Sequence, residues 1–188
     1  MPRDVASFLR EANRRIERFQ LRGCVPGFVP SHFARTYQVL AALAALDILP
    51  GNRFCEWGSG FGVVTCLAAM LDFDASGIEI EGDLVDAAED LAADFSLDVE
   101  FIRGSFMPRG SEALIARDAE YAWLSTEQDG SSAVAPDDFD VIFAYPWPDE
   151  ECLTAELFGA YAGEGAVLVT YHGGDEFRVR RKQVTSDK

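Results

Sequence analysis

Apolar positions along this chain switch from a helical period to short strand-like runs near residue 50. Val5, Phe8, Leu9, Ala12, Ile16 and Phe19 recur at three- and four-residue steps. That spacing predicts an amphipathic helix over 4–20, with Asp4 as its N-cap and arginines on its outer face. Gly23, Pro26, Gly27 and Pro30 then read as a loop. A second helix is expected over 32–48, capped by Ser31, with Phe33, Tyr37, Leu40, Ala44 and Ile48 inward. Pro50-Gly51 turns the chain into alternating segments. Strands are expected at 53–56, 75–80, 99–102, 139–144, 166–171 and, last and short, 177–180. Helical patterns fall between them at 63–71, at 84–95, at 111–124 and at 149–161. A polar stretch at 127–138 reads as a loop that could cover a site together with the first helix.

Strand and helix in alternation predict right-handed crossovers and a mostly parallel, doubly wound α/β sheet with helices on both faces. The apolar runs at 139–144 and 166–171 suit strands buried on both sides. In such a sheet ligands bind at the carboxyl ends of the strands. That rule places 56–62, Glu79, Ser105 and Tyr145 on one rim. The 188 residues suffice for one domain, expected as N-terminal helices over 1–50 and an α/β core over 51–188.

Composition changes this picture little. The chain is 48% hydrophobic and 26% charged, the range of ordinary globular proteins. No apolar run approaches a membrane span, and the start lacks the apolar core of a signal peptide, so a cytoplasmic location is expected. The four cysteines, Cys24, Cys55, Cys66 and Cys152, form no metal-binding spacing, and Cys55 and Cys66 are expected in the core. Charge says more. The net charge is −16, although the first 22 residues carry six arginines against three acids. The acid therefore lies in the middle of the chain, and such a surface repels phosphate backbones. It argues against a nucleic-acid acceptor and suits either solubility or the steering of a basic substrate.

The chemistry centres on Glu56-Trp57-Gly58-Ser59-Gly60-Phe61-Gly62, where an acid closes a strand and three glycines precede a helix. Glycines let a ligand approach the backbone, and helix N-terminal amides favour acceptor groups. The dinucleotide pattern GxGxxG would need a glycine where Val63 stands. Glu79 ends the next strand, where a carboxylate can accept hydrogen bonds from both hydroxyls of a ribose. Glu81 is its rival two residues on.

The run from Glu56 to Gly62 resembles the first motif of class I S-adenosylmethionine (SAM) dependent methyltransferases, and Gly77-Ile78-Glu79-Ile80-Glu81 resembles their second. Phe28-Val29-Pro30-Ser31, a helix and then the glycine loop are similar to the start of small seven-stranded protein-lysine methyltransferases. The resemblance covers roughly residues 28–106. It implies a Rossmann-like sheet, a SAM cofactor, and cofactor contacts from Glu56, Gly58, Ser59, Gly60, Gly62, Glu79, Ser105 and Phe106. Ser105 stands where the family has an acid for the adenine amino group, and Phe106 offers a stacking face instead. Tyr145, Pro146 and Trp147 resemble loosely the Asn/Asp-Pro-Pro-Tyr motif that orients an acceptor nitrogen, with Ala144 in place of the polar residue. The implied activity is methyl transfer to an unidentified protein or small-molecule acceptor, a lysine or another amine being the finer expectation. A SAM- or nucleotide-binding module without activity is the alternative. Neither His32 nor His172 receives a role. The family's sheet ends in an antiparallel hairpin, for which few residues remain here after the fifth strand.

Overall fold

In the computed structural model the described residues are 1–23, 28–46, 48–108, 110–111, 114 and 135–183. Six strands form one sheet: β1 (Arg53–Trp57), β2 (Asp74–Glu79), β3 (Val99–Arg103), β4 (Val141–Ala144), β5 (Val167–Tyr171) and β6 (Phe177–Arg181). Their order is β3-β2-β1-β4-β5-β6, parallel up to β5, with β6 antiparallel on the edge. Chain order reverses beside β1, so the glycine loop leaves the sheet at its switch point. Glu56 sits in register with Gly77 of β2 and Phe143 of β4. The hairpin expected at the C-terminal end is represented, among the described residues, by the single strand β6.

Period-two alternation builds a core on each face. Phe54, Val141, Phe143, Val167 and Val169 pack with Leu40, Leu43, Val64 and Ala68 on one side. Cys55, Ile142, Ala144 and Leu168 pack with Leu153, Leu157 and Phe158 on the other. Among the described residues the helices are α1 (Arg3–Arg22), α2 (Phe33–Ala44), α3 (Val63–Ala69), α4 (Gly82–Asp94) and α5 (Glu151–Tyr161). α1 buries Val5, Phe8, Leu9, Ala12 and Ile16 in a cluster shared with Leu67, Leu84 and Leu91. Phe8 meets Phe95 edge to face at 5.1 Å between centroids, and Arg15 pairs with Asp94. The helix expected to help cover the site is thus seated in the core by its whole apolar stripe.

Both N-cap expectations need correction. α1 begins at Arg3 after Pro2, so Asp4 lies in its first turn. α2 begins after His32, and the Ser31 hydroxyl caps nothing. α2 also ends at Ala44, four residues early. Ala44 and Ile48 are exposed, and Leu43 takes the buried position instead. The amide of Leu46 bonds to the Leu43 carbonyl, a tighter turn that ends the helix. The helix expected over 111–124 lies outside the described residues, save 111 and 114. So does the 127–138 loop, save its end, where Pro136–Asp138 form a 3-10 turn. Among the described residues no helix is long and apolar enough to cross a membrane.

Candidate functional site

The loop after β1 is fixed by its own backbone. The amides of Gly58 and Ser59 both donate to the Ile78 carbonyl at 2.9 Å, and the Gly62 amide donates to Ser59 at 2.8 Å. Gly58, Gly60 and Gly62 all have positive φ, at 70°, 53° and 69°. Two of them show different reasons for glycine. A Cβ on Gly62 would lie 2.5 Å from the Phe101 ring and 2.7 Å from Ala88, so this residue lets loop, β3 and α4 close together. A Cβ on Gly58 would meet nothing within 4 Å. Its backbone faces the open cavity.

Two buried carboxylates brace this loop. Glu56 Oε2 accepts from the Thr65 amide at 2.8 Å and from the Thr65 hydroxyl at 2.7 Å, tying β1 to the first turn of α3. Burial pushes the Glu56 carboxyl up to about 8, against these hydrogen bonds, and the nearby Glu79 adds to the rise. Glu79 Oε2 accepts from the Gly60 amide at 2.8 Å. Its Oε1 accepts from the amides of Ile80 and Glu81 at 2.8 and 3.0 Å. Glu79 therefore joins the tip of β2 to the glycine loop, while each carboxylate oxygen has room for two donors. Glu81, its rival from the sequence, is exposed and lies just before α4.

These groups line a cavity of about 710 Å³ at the carboxyl ends of the parallel strands. That volume lies within the roughly 300–1,000 Å³ of small-molecule sites. All of the sequence-singled residues except Gly62 line it: Glu56, Gly58, Ser59, Gly60, Glu79, Ser105, Phe106, Tyr145, Pro146 and Trp147. Gly62 sits behind the loop as a packing residue. The Ser59 hydroxyl is buried without a partner. Ser105 Oγ accepts from the Met107 amide at 3.2 Å, which shapes the turn after β3. Phe106 stacks on Trp57, with ring planes 9° apart and centroids 5.3 Å apart. One of its faces is thus already covered. Tyr145 packs on Tyr171 at 4.6 Å, and Trp147 is 46% exposed.

The far wall holds residues that the sequence reading passed over. Glu150, Glu151, Thr154 and His172 line it. His172 Nδ1 lies 2.7 Å from Glu151 Oε1, and its Nε2 lies 2.7 Å from the Thr170 hydroxyl. Arg178 donates to Glu151 Oε2 at 2.7 Å. This network ties β5, β6 and α5 together, and it leaves both nitrogens of His172 engaged. His172 directly follows β5, so the rule that found Glu79 also reaches it. Arg103, at the end of β3, lies on the opposite side of the cavity mouth near Gly82. Cys55 and Cys66 are buried, and burial raises both thiols, Cys66 to about 12. Neither is a nucleophile at neutral pH.

No protein-family model matches the sequence, and no curated protein does. Solved structures are similar in fold. An RNA methyltransferase from Salinibacter ruber, bound to S-adenosyl-L-homocysteine, superposes with a TM-score of 0.57 at 18% identity, over 85% of this chain and 96% of that one. An O-methyltransferase from Bacillus cereus in complex with the same molecule gives 0.53 at 15% identity, over 90% of this chain and 66% of that one. YjhP from Escherichia coli is longer: this chain spans 47% of it, at 18% identity and a TM-score of 0.48. Identities this low speak for architecture alone. With its six-stranded sheet and its switch point beside β1, the chain shares the Rossmann-like α/β fold of these methyltransferase structures.

Proposed function

We propose that the protein is a SAM-dependent methyltransferase. The observation that carries this reading is the glycine loop itself: an open backbone face at Gly58, with Glu79 clamped to the Gly60 amide, on the rim of a cavity of suitable size. SAM supplies a sulfonium-activated methyl group. The chain's part is to bind it, to align an acceptor and to exclude water. Glu79, whose Oε2 keeps one unfilled lone pair beside the loop, is the ribose acceptor. Glu56 and Ser59 line the same end. Ser105 and Phe106 bound the adenine side, where a hydroxyl stands in place of a charge. Tyr145, Pro146 and Trp147 present the acceptor: Pro146 is buried and Trp147 projects outward, so the turn holds aromatic faces at the rim.

The acceptor belongs to a protein or a small molecule. The Salinibacter protein acts on RNA, but a chain of net charge −16 repels a phosphate backbone. A lysine side chain or another amine is the acceptor class we favour. An inactive SAM-binding module is the second reading, favoured by Ala144 and Ser105 where the family carries polar and acidic groups. Labelled SAM incubated with lysate and with metabolite fractions separates the two. Transfer by the parent, lost in Tyr145→Ala and Trp147→Ala with SAM affinity nearly intact, is the expected result. Parental rates in both variants would make the turn structural. No labelling in any fraction would leave the binding module.

A further inference from the structure

Glu150 holds the one carboxylate oxygen among the described residues that is buried without a hydrogen-bond partner. It lines the cavity beside the Tyr145–Pro148 turn. Its position is set twice over. Its amide donates to the Trp147 carbonyl at 2.9 Å, and its Oε2 accepts from the Trp147 amide at 3.1 Å. Oε1 is left over. Glu150 stands at the N-cap position of α5 but makes no side-chain cap bond to that helix. Nor does it form an ion pair among the described residues. The neighbouring Glu151 spends both its oxygens on His172 and Arg178. Glu150 has no such partner, and desolvation raises its carboxyl above the ordinary range, against its bond from Trp147.

A buried carboxylate oxygen without a donor is costly, more so than a neutral acceptor. What relieves it is a donor that also carries positive charge. A hydroxyl would fill the hydrogen bond and leave the charge, whereas an alkylammonium answers both. The surroundings favour the same group. Tyr145 and Trp147 are exposed aromatic residues lining the same cavity as Glu150, and a ring face attracts a cation.

We infer that Glu150 Oε1 receives the ammonium of the methyl acceptor, so that the cavity takes alkylammonium-bearing molecules in preference to alcohols or acids. This rests on the methyl-transfer reading for the word acceptor, although the ammonium site itself does not. Glu150 acts by binding and orienting, and Tyr145 and Trp147 form the rest of the subsite; the bound ammonium gives up one proton to solvent before its nitrogen lone pair can take a methyl group.

The test uses three probes of equal chain length: n-hexylammonium, n-hexanol and n-hexanoate. Each is titrated into the full chain, with and without S-adenosyl-L-homocysteine, and binding is followed by calorimetry. The parent is expected to bind hexylammonium at least tenfold tighter than hexanol and hexanoate. Glu150→Gln, which keeps the shape and the Trp147 bond, is expected to erase that preference. Should Glu150→Gln not fold, the probe series on the parent and on Glu150→Asp still decides. An equal affinity of the parent for hexylammonium and hexanol overturns the proposal, and so does a preference retained in Glu150→Gln. If S-adenosyl-L-homocysteine does not bind while the Glu150-dependent preference persists, the methyl-transfer reading falls and the ammonium site stands.

Discussion

Glu56 links the fold to pH. Its carboxyl rises from 4.5 to about 8 through burial, so between those values the folded protein binds more protons than the unfolded chain. Stability contributed by the protonated form is therefore full below about pH 4.5 and falls as pH rises through about 8. Urea unfolding of the parent is expected to lose roughly 2–4 kcal/mol more between about pH 5 and about pH 9 than Glu56→Gln does. Parallel losses in the two proteins would mean that Glu56 is ionised in the fold. Glu79 shows what sequence makes legible at this scale. An acid at a strand tip needs only the strand boundary to be placed, and the structure sets it on the loop. Glu150 was not legible in that way. Its free oxygen follows from a turn that points Oε2 back to Trp147, a tertiary fact with no signature in residue type. His172 was legible and missed, since the strand-end rule reaches it as it reaches Glu79.

At the scale of elements, the alternation of apolar runs carried most of the information. β1 to β5 fall within two residues of their expected starts, and β6 pairs on the edge as a short last strand. Helix ends fared less well, because capping depends on which groups the neighbouring chain leaves free. α2 is the clearest case: Ala45 and Leu46 are good helix formers, yet the helix stops before them, in the tighter turn closed by the Leu46 amide. The glycine loop offers a test that separates fold from binding. Gly58→Ala places a methyl group in open space at a positive φ, while Gly62→Ala drives one into Phe101 and Ala88. Gly58→Ala is expected to cost ~1–2 kcal/mol of stability. Gly62→Ala is expected to cost ~2–4 kcal/mol, the same strain with overpacking added. Cofactor affinity should fall in Gly58→Ala, whose backbone faces the cavity. Thermal melts and calorimetry on both variants read the two effects. Equal stability loss would contradict the assigned packing of Gly62.

On the scale of the whole molecule, the sheet gathers the ends of five parallel strands on one rim and builds one cavity there. Glu56 and Glu79 line that cavity beside the glycine loop and Glu150 lines it beside the Tyr145–Pro148 turn, which under the proposed function are its cofactor and acceptor sides. Overall charge fits this arrangement: an acidic molecule draws cations, and SAM carries a sulfonium. The measurement that bears most directly on this account is a calorimetric titration of the full chain with SAM, repeated on Glu79→Ala and matched by a titration with NADH. The account expects one SAM per chain, no NADH binding, and a loss of roughly tenfold to a hundredfold in Glu79→Ala, equivalent to ~1.5–3 kcal/mol for one charge-assisted contact. Binding of NADH without SAM would contradict it, and an unchanged affinity in Glu79→Ala would remove that residue from the site.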